Sequence, residues 1–146
     1  MRVLLIAVNA KYIHSNPAVY SLRAYAQAAL GDLPEVGIEI AEYTINQNTE
    51  NILADIYRRK PDIAAFSCYI WNWNTIQELL PELPKLLPDT KLWLGGPEGS
   101  FHAEKILAQY TQLTGIMVGE GEETFTQLVR FYHAPKGQLQ DIPGLV

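Results

Sequence analysis

Apolar residues in this chain fall into short unbroken runs, and between the runs they recur at spacings of three and four; the two patterns alternate along most of the sequence. The first run, Val3 to Val8, contains no polar residue, which is the pattern of a strand covered on both faces in a parallel sheet. It is expected to be central. After the polar loop Asn9 to Asn16, Pro17 stands at a first-turn position where a missing N–H costs nothing, and Gly31 follows Leu30 as a helix stop. Val19, Leu22, Ala26 and Ala29 give the intervening helix its apolar stripe. A second strand is expected from Val36 into Thr44, where Ile38 and Ile40 alternate with Glu39 as on an edge with one wetter face. A helix follows from Thr49 to Arg59, turning Ile52, Leu53, Ile56 and Tyr57 inward, and Pro61 stops it.

Strand three is expected over Asp62 to Tyr69. The next helical stretch carries Ile76, Leu79, Leu80, Leu83, Leu86 and Leu87, with Pro81 and Pro84 kinking or dividing it. Strand four, Lys91 to Leu94, runs into Gly95-Gly96-Pro97-Glu98, and strand five, Gly115 to Val118, runs into Gly119-Glu120-Gly121-Glu122-Glu123. Helices are expected after them over Phe101 to Tyr110 and Thr124 to Tyr132. Strands alternating with helices in this way predict an α/β domain: a doubly wound open sheet of Rossmann or flavodoxin type, with five mainly parallel strands and helices on both faces. A ligand then lies beyond the strand C-termini, at the switch in strand order. Residues 1–136 form this domain, and residues 137–146, with no core stripe, are expected to be a linker toward a further domain.

The 146 residues are 48% apolar and suit one compact domain. With 11 Lys+Arg against 16 Asp+Glu, a formal charge of −5 and no basic block, no nucleic-acid partner is expected. The apolar runs are too short for a membrane span, and residues 1–8 are too short for a secretory signal. One cysteine, Cys68, cannot form an internal disulfide, and a cytoplasmic location is expected.

The loops then narrow the chemistry. Phosphoryl transfer on this fold needs an Asp at the end of strand three, an acidic pair after strand one and a Lys after strand five; Asn9, Ser67 and Gly119 occupy the corresponding places. A dinucleotide site needs glycines after the first strand, and none is there; Gly119 and Gly121 follow the last strand, among glutamates that oppose an anion. Glu122 and Glu123 instead complement the positive end of the last helix. Cys68, His14, His102 and His133 have no ligand spacing, so no metal site is expected from them. Cys68 reads as a small buried hydrophobe, whereas His14 lies in the loop after the central strand.

Taken together these loops resemble the cobalamin-binding domain that precedes the catalytic barrel in cobalamin-dependent radical S-adenosylmethionine (SAM) enzymes. The resemblance spans nearly the whole chain. It is carried by Asn9 to Pro17 after strand one, Ser67-Cys68-Tyr69 at strand three, Gly95-Gly96-Pro97-Glu98 after strand four and Gly119-Glu120-Gly121-Glu122 after strand five. The closing Ile142 to Val146 looks like that family's junction into the radical domain. Corrinoid proteins such as methionine synthase carry D-x-H-x-x-G after strand one, S-x-L at strand three and G-G after strand four. Ser67 and Gly95-Gly96 match, with Tyr69 in place of Leu. Aligning Asn9 with the Asp puts Lys11 where the cobalt-binding His would be and His14 where the Gly would be. A protonated lysine has no lone pair to donate. The resemblance thus implies cobalamin bound base-off without that histidine, its lower face vacant, solvent-occupied or approached by another side chain, for which His14 is the candidate.

A corrinoid is a broad ring with amide arms and a nucleotide tail, so it needs a wide rim at the strand ends and a narrow slot beside the sheet. Ser67 is the candidate hydroxyl at the slot floor, and Gly95 and Gly96 leave room for close approach. Tyr69, Trp71 and Trp73 are candidates to cover a flat ring, with core packing the other reading for the two tryptophans. Asn9, Lys11, Tyr12, His14, Asn72, Pro97, Glu98, Gly119, Glu120 and Gly121 complete the candidate cofactor residues by loop position. No residue is assigned to catalysis within this chain. The resemblance implies a parent of methyltransferase type whose 4Fe-4S cluster and SAM site lie in the downstream radical SAM domain. Two other readings stay open: a flavodoxin-like flavin or nucleotide module, and a docking domain that has lost its cofactor.

Overall fold

The computed structural model describes residues 1–11, 14–31, 33 and 35–146. Five parallel strands, β1 (Arg2–Asn9), β2 (Gly37–Thr44), β3 (Ile63–Ser67), β4 (Lys91–Gly95) and β5 (Gly115–Ile116), form one sheet in the order β2-β1-β3-β4-β5. This is the flavodoxin-like order, and the chain direction across the sheet reverses between β1 and β3. β1 explains its own sequence. Leu4, Ile6 and Val8 enter a core with Ile52, Ile56, Ile76, Leu79, Leu80 and Leu83, while Val3, Leu5 and Ala7 enter a second core with Val19, Ala26, Phe125, Leu128 and Val129. Both faces are dry, so no alternation remains. β2 lies at the edge, as its alternating pattern predicts.

Helices cover both faces. α1 (Pro17–Leu30) and, after β5, α7 (Gly121–His133) pack against each other on one face. The other face carries α2 (Thr49–Arg59), α3 (Trp73–Leu79), α4 (Leu83–Leu86) and α6 (Ala103–Gln109), with α5 (Pro97–Phe101) leading out of β4. Asn16 caps α1 by accepting the Ala18 N–H at 3.0 Å. Val19 and Ala26 of the expected stripe are buried and Leu22 half-buried, but Ala29 is exposed.

Several boundaries differ from expectation, each for a local reason. The proline-rich stretch divides into α3 and α4. The single helix expected over Phe101 to Tyr110 is two, because Pro97 starts α5 directly after Gly96 and the backbone breaks at His102. α7 begins at Gly121, three residues earlier than expected. β3 stops at Ser67 rather than Tyr69. Beyond it the Cys68 N–H still donates to Gly95 O of β4 at 2.7 Å, but the Tyr69 N–H donates to Asn72 Oδ1 at 2.8 Å, which turns the chain away from the ladder. β5 is only two residues long, and segment 137–146, read above as a linker, lies along its outer side near the end. Ile116 and Val146 exchange N–H···O bonds of 2.9 Å, Val118 N–H donates to Gly144 O at 2.7 Å, and Ile142 is buried.

Two constraints shape the strand ends. Asn72 is 0% exposed and donates to Val8 O at 3.0 Å and Ser67 O at 2.9 Å, while accepting from Tyr69 N–H, so it ties the ends of β1 and β3 to the following turn. Gly96 adopts φ +90°, and a Cβ there would lie 2.6 Å from Cys68 O and 2.9 Å from Cys68 N. Gly95 is not so confined, since its Cβ would meet only Met117 at 3.8 Å or more.

Gly96→Ala should therefore lower unfolding free energy by at least about 2 kcal/mol, whereas Gly95→Ala should cost under about 1 kcal/mol, as measured by urea denaturation. A pH effect follows from the α2–β2 contact. The Tyr43 O–H donates to Asp55 Oδ2 at 2.6 Å and Arg59 Nε to the same oxygen at 2.9 Å. The Tyr43 hydrogen bond first, and then Arg59, hold the Asp55 carboxyl below the usual carboxylate range. This contribution is complete above the unfolded-state value of about 4 and is lost as pH falls through the lower folded value. Between about pH 5 and pH 3, wild-type stability should consequently fall more steeply than that of Asp55→Asn.

Candidate functional site

The strand order reverses between β1 and β3, and two cavities open at the C-terminal edge on either side of Tyr69, which lines both. The larger, about 390 Å³, is a slot between α1 and the start of α7. Ala18, Val19 and Leu22 form the α1 wall; Gly119, Glu120, Gly121 and Glu122 form the α7 wall; Ser67, Gly95, Gly96 and Pro97 come from the strand ends. The second, about 340 Å³, is a shelf lined by Asn9, Ala10, His14, Ser15, Asn16, Pro17, Tyr69 and Trp71. Both volumes fall in the range of small-molecule sites, about 300–1,000 Å³.

Ser67 is 8% exposed, and its Oγ accepts from Asn16 Nδ2 at 3.0 Å. Among the described residues no acceptor takes its own O–H, which can donate. Ser67, the floor candidate in the sequence, stands instead above two residues from the strands. Leu5 and Ala65, paired across β1 and β3 and two residues further down the strands, line the slot below it together with Met117. Asn16 thus does two things: it starts α1 with one amide atom and fixes Ser67 with the other. Its signal was available in the sequence as an Asn before Pro at a helix start, but nothing local marked its link to Ser67, 51 residues away.

The slot walls are bonded to each other. Ser21 Oγ donates to Glu122 Oε1 at 2.9 Å and Tyr25 O–H to Glu123 Oε2 at 2.8 Å, joining α1 to the first turn of α7. Glu122 and Glu123 therefore do more than complement the helix dipole. Gln127 first, and then Tyr25, hold the Glu123 carboxyl below its ordinary value, and the same carboxylate raises the Tyr25 phenol. At the shelf, Glu42 of β2 accepts from Asn9 Nδ2 at 3.3 Å, Asn16 N–H at 3.4 Å and Tyr20 O–H at 2.7 Å, anchoring both ends of the loop after β1.

Tyr69 and Trp71 stack with ring centroids 4.3 Å apart and planes 8° from parallel, and Trp71 remains 48% exposed. Trp73 separates from them: half-buried, it packs against the core and meets Tyr110 edge-on at 6.2 Å. Of the expected cofactor residues, Ser67, Tyr69, Gly95, Gly96, Pro97, Gly119, Glu120 and Gly121 line the slot, and Asn9, His14, Tyr69 and Trp71 line the shelf. Asn72 does not face a ligand, because its buried amide is committed to Val8, Ser67 and Tyr69. Gly96 is required by the Cys68 backbone as well as by the slot. Lys11, which is exposed, and Glu98, whose N–H donates to Cys68 O at 3.2 Å, are not among the described lining residues. Tyr12 lies outside the described residues. Cys68 is buried as expected, and burial pushes its thiol far above the ordinary range, so it is held protonated.

Among the described residues no group of three or more His, Cys, Asp or Glu side chains is placed to hold a metal ion, and no helix is long and apolar enough to cross a membrane.

Comparison with known proteins places the fold and the family. The cobalamin-dependent radical SAM methyltransferase TokK of Streptomyces tokunonensis is 23% identical over 86 residues, 59% of this chain and 13% of that protein. Among solved structures, the cobalamin-dependent S-adenosylmethionine radical enzyme OxsB, with aqua-cobalamin and S-adenosylmethionine bound, matches at TM-score 0.75 and 18% identity, over 99% of this chain and 20% of that one. The radical S-adenosylmethionine methyltransferase TsrM from Kitasatospora setae, with cobalamin and a [4Fe-4S] cluster bound, matches at TM-score 0.70 and 18% identity, over 99% of this chain and 26% of that one. The structural likenesses establish the fold, and this chain spans a small part of each of these longer proteins. Residues 3–129, from the first strand through most of α7 and so including both slot walls, match the family described as B12 binding domain, and the chain belongs to that family.

Proposed function

We propose that this chain holds base-off cobalamin at the C-terminal edge of its sheet, as the N-terminal module of a larger cobalamin-dependent radical SAM enzyme of methyltransferase type. The observation that carries the reading is the join at Tyr69 between a narrow slot and an open shelf, at the strand-order switch. A disc with a trailing nucleotide needs that pair of spaces. The donor set also fits: the slot is mainly apolar and glycine-lined, the Ser67 and Tyr69 hydroxyls belong to lining residues, and half-buried Tyr69 stacks on exposed Trp71 beside the shelf.

In this reading Val19, Leu22, Gly95 and Gly121 bound the tail, Ser67 donates to it, and Tyr69 with Trp71 covers one edge of the ring. Asn9 and His14 line the shelf and Lys11 does not, so His14 is the side chain that would approach the ring's lower side. When bound, cobalamin supplies a cobalt centre able to carry a methyl group. The chain's own part is to bind, orient and partly bury it. Cys68, single and buried, cannot hold an iron–sulfur cluster. The cluster and SAM therefore belong to a downstream radical SAM domain, to which segment 137–146 is the passage, and the module has a cytoplasmic location. Flavin binding and cofactor-free docking gain no support from the relatives, whose names concern cobalamin and radical SAM chemistry.

Purified chain mixed with hydroxocobalamin should retain one equivalent of chromophore through gel filtration, with a shifted visible spectrum. Colourless protein, or protein that retains flavin instead, would defeat the reading. Gly95→Leu, which projects a side chain toward Met117 in the slot, should weaken binding at least about tenfold while the chain stays folded by circular dichroism. Ser67→Ala removes one hydrogen bond to the tail and should weaken binding by about 1 kcal/mol, roughly fivefold, in equilibrium dialysis.

A further inference from the structure

We infer that residues 143–146 act as a strap that positions the α7 wall of the slot from outside, so that cofactor binding and the seating of this segment against β5 strengthen each other. This rests on the reading of the slot as part of the cofactor site. The wall is the turn from Gly119 to Glu122 between β5 and α7, and Gly119 is open, with nothing within 4 Å of where its Cβ would stand. An open turn takes its position from its two ends. Before it, the Val118 N–H donates to Gly144 O at 2.7 Å; after it, the Thr124 hydroxyl donates to Pro143 O at 2.9 Å. Adjacent carbonyls of the strap thus hold both ends of the turn.

The contact admits little variation. Gly144 adopts φ +87°, and a Cβ there would lie 2.7 Å from Thr124 Oγ1 and 3.2 Å from Val118 O, so a side chain would push the strap off both neighbours. Thr124 is 6% exposed, and without the strap its hydroxyl and the Val118 N–H would need new partners. Further down β5, Ile116 and Val146 exchange N–H···O bonds, and Met117 stands opposite Leu145. Met117 itself lines the slot, and Leu145 packs against the core that contains Met117, Phe125 and Leu128. Shifting the strap therefore loosens the wall, and by linkage a molecule held against the wall holds the strap. In the proposed parent enzyme the same segment is the passage onward, so the placement of the next domain bears on how tightly this module keeps its cofactor.

The test combines the 146-residue chain with hydroxocobalamin and reads dissociation constants by equilibrium dialysis and amide hydrogen exchange by NMR. Thr124→Val, which keeps the shape and removes the donor, should weaken binding at least about twofold, and Gly144→Ala at least about fivefold. Thr124→Ser, which keeps the donor, should bind as the wild type does. Ile52→Val, a core change on the opposite face of the sheet, should leave affinity unaltered. Bound hydroxocobalamin should slow exchange of the Val118 and Val146 amides at least about fivefold. It should not slow exchange of the Gly37 amide, which is bonded to Met1 O at the far edge of the sheet. Wild-type affinity in both Thr124→Val and Gly144→Ala overturns the inference and leaves cobalamin binding standing. An equal loss in Ile52→Val does the same, as does exchange at Val118 and Val146 that the cofactor leaves unchanged. A wild-type chain that retains no hydroxocobalamin overturns the cofactor reading and the inference with it.

Discussion

Where two parallel strands part to follow different loops, their last backbone groups lose their ladder partners inside the protein. Asn72 meets that requirement here. One fully buried amide satisfies the carbonyls of Val8 on β1 and Ser67 on β3 and takes the N–H of Tyr69. Left unsatisfied, such groups cost about 1–3 kcal/mol each, more than a polar loop readily offsets. The consequence reaches the surface. Because the turn after β3 is pinned from below, Tyr69 leaves the strand at a fixed place, stacks on Trp71, and divides the strand-end crevice into a slot and a shelf.

A second crowding point sits beside the first. The Cys68 peptide approaches β4 so closely that only glycine fits at 96, and its N–H closes onto Gly95 O. Gly95 and Gly96, alike in sequence, therefore separate in physical role: one clears the slot next to Met117 and the other lets two backbones pass. Cys68 itself, sulfur buried and thiol held protonated, fills space at that crossing.

The large features were legible because they depend on periodicity. An apolar run without alternation identified β1 as doubly covered, and an alternating run identified β2 as an edge. The features that were not legible depend on distant partners. Nothing near Ser67 indicates that Asn16 donates to it, and nothing near Ser21 or Tyr25 indicates glutamates across the slot. Strand ends were misjudged for the same reason: Cys68 and Tyr69 have the apolar character of a strand, but the Tyr69 N–H bonds to the Asn72 side chain instead of a neighbouring strand. Trp71 and Trp73, two residues apart, diverge because α3 starts at Trp73 and its first turn lays that ring against the core.

These partnerships also bear on the loop after β1, where the chain departs most from the corrinoid pattern. In the slot reading, what holds the tail is distributed over α1, the ends of β3 and β4, and the first turn of α7, with Ser21–Glu122 and Tyr25–Glu123 fixing the spacing of the two helices. The loop after β1 contributes to the shelf, but among its described residues Asn16 alone is bonded to a slot side chain, and Asn16 is also the cap that starts α1. A cobalt-binding histidine can therefore give way to Lys11 without removing a slot wall. In that reading the residues that would hold the tail and the loop that would face the ring reside in different elements, so changing one leaves the other's geometry in place.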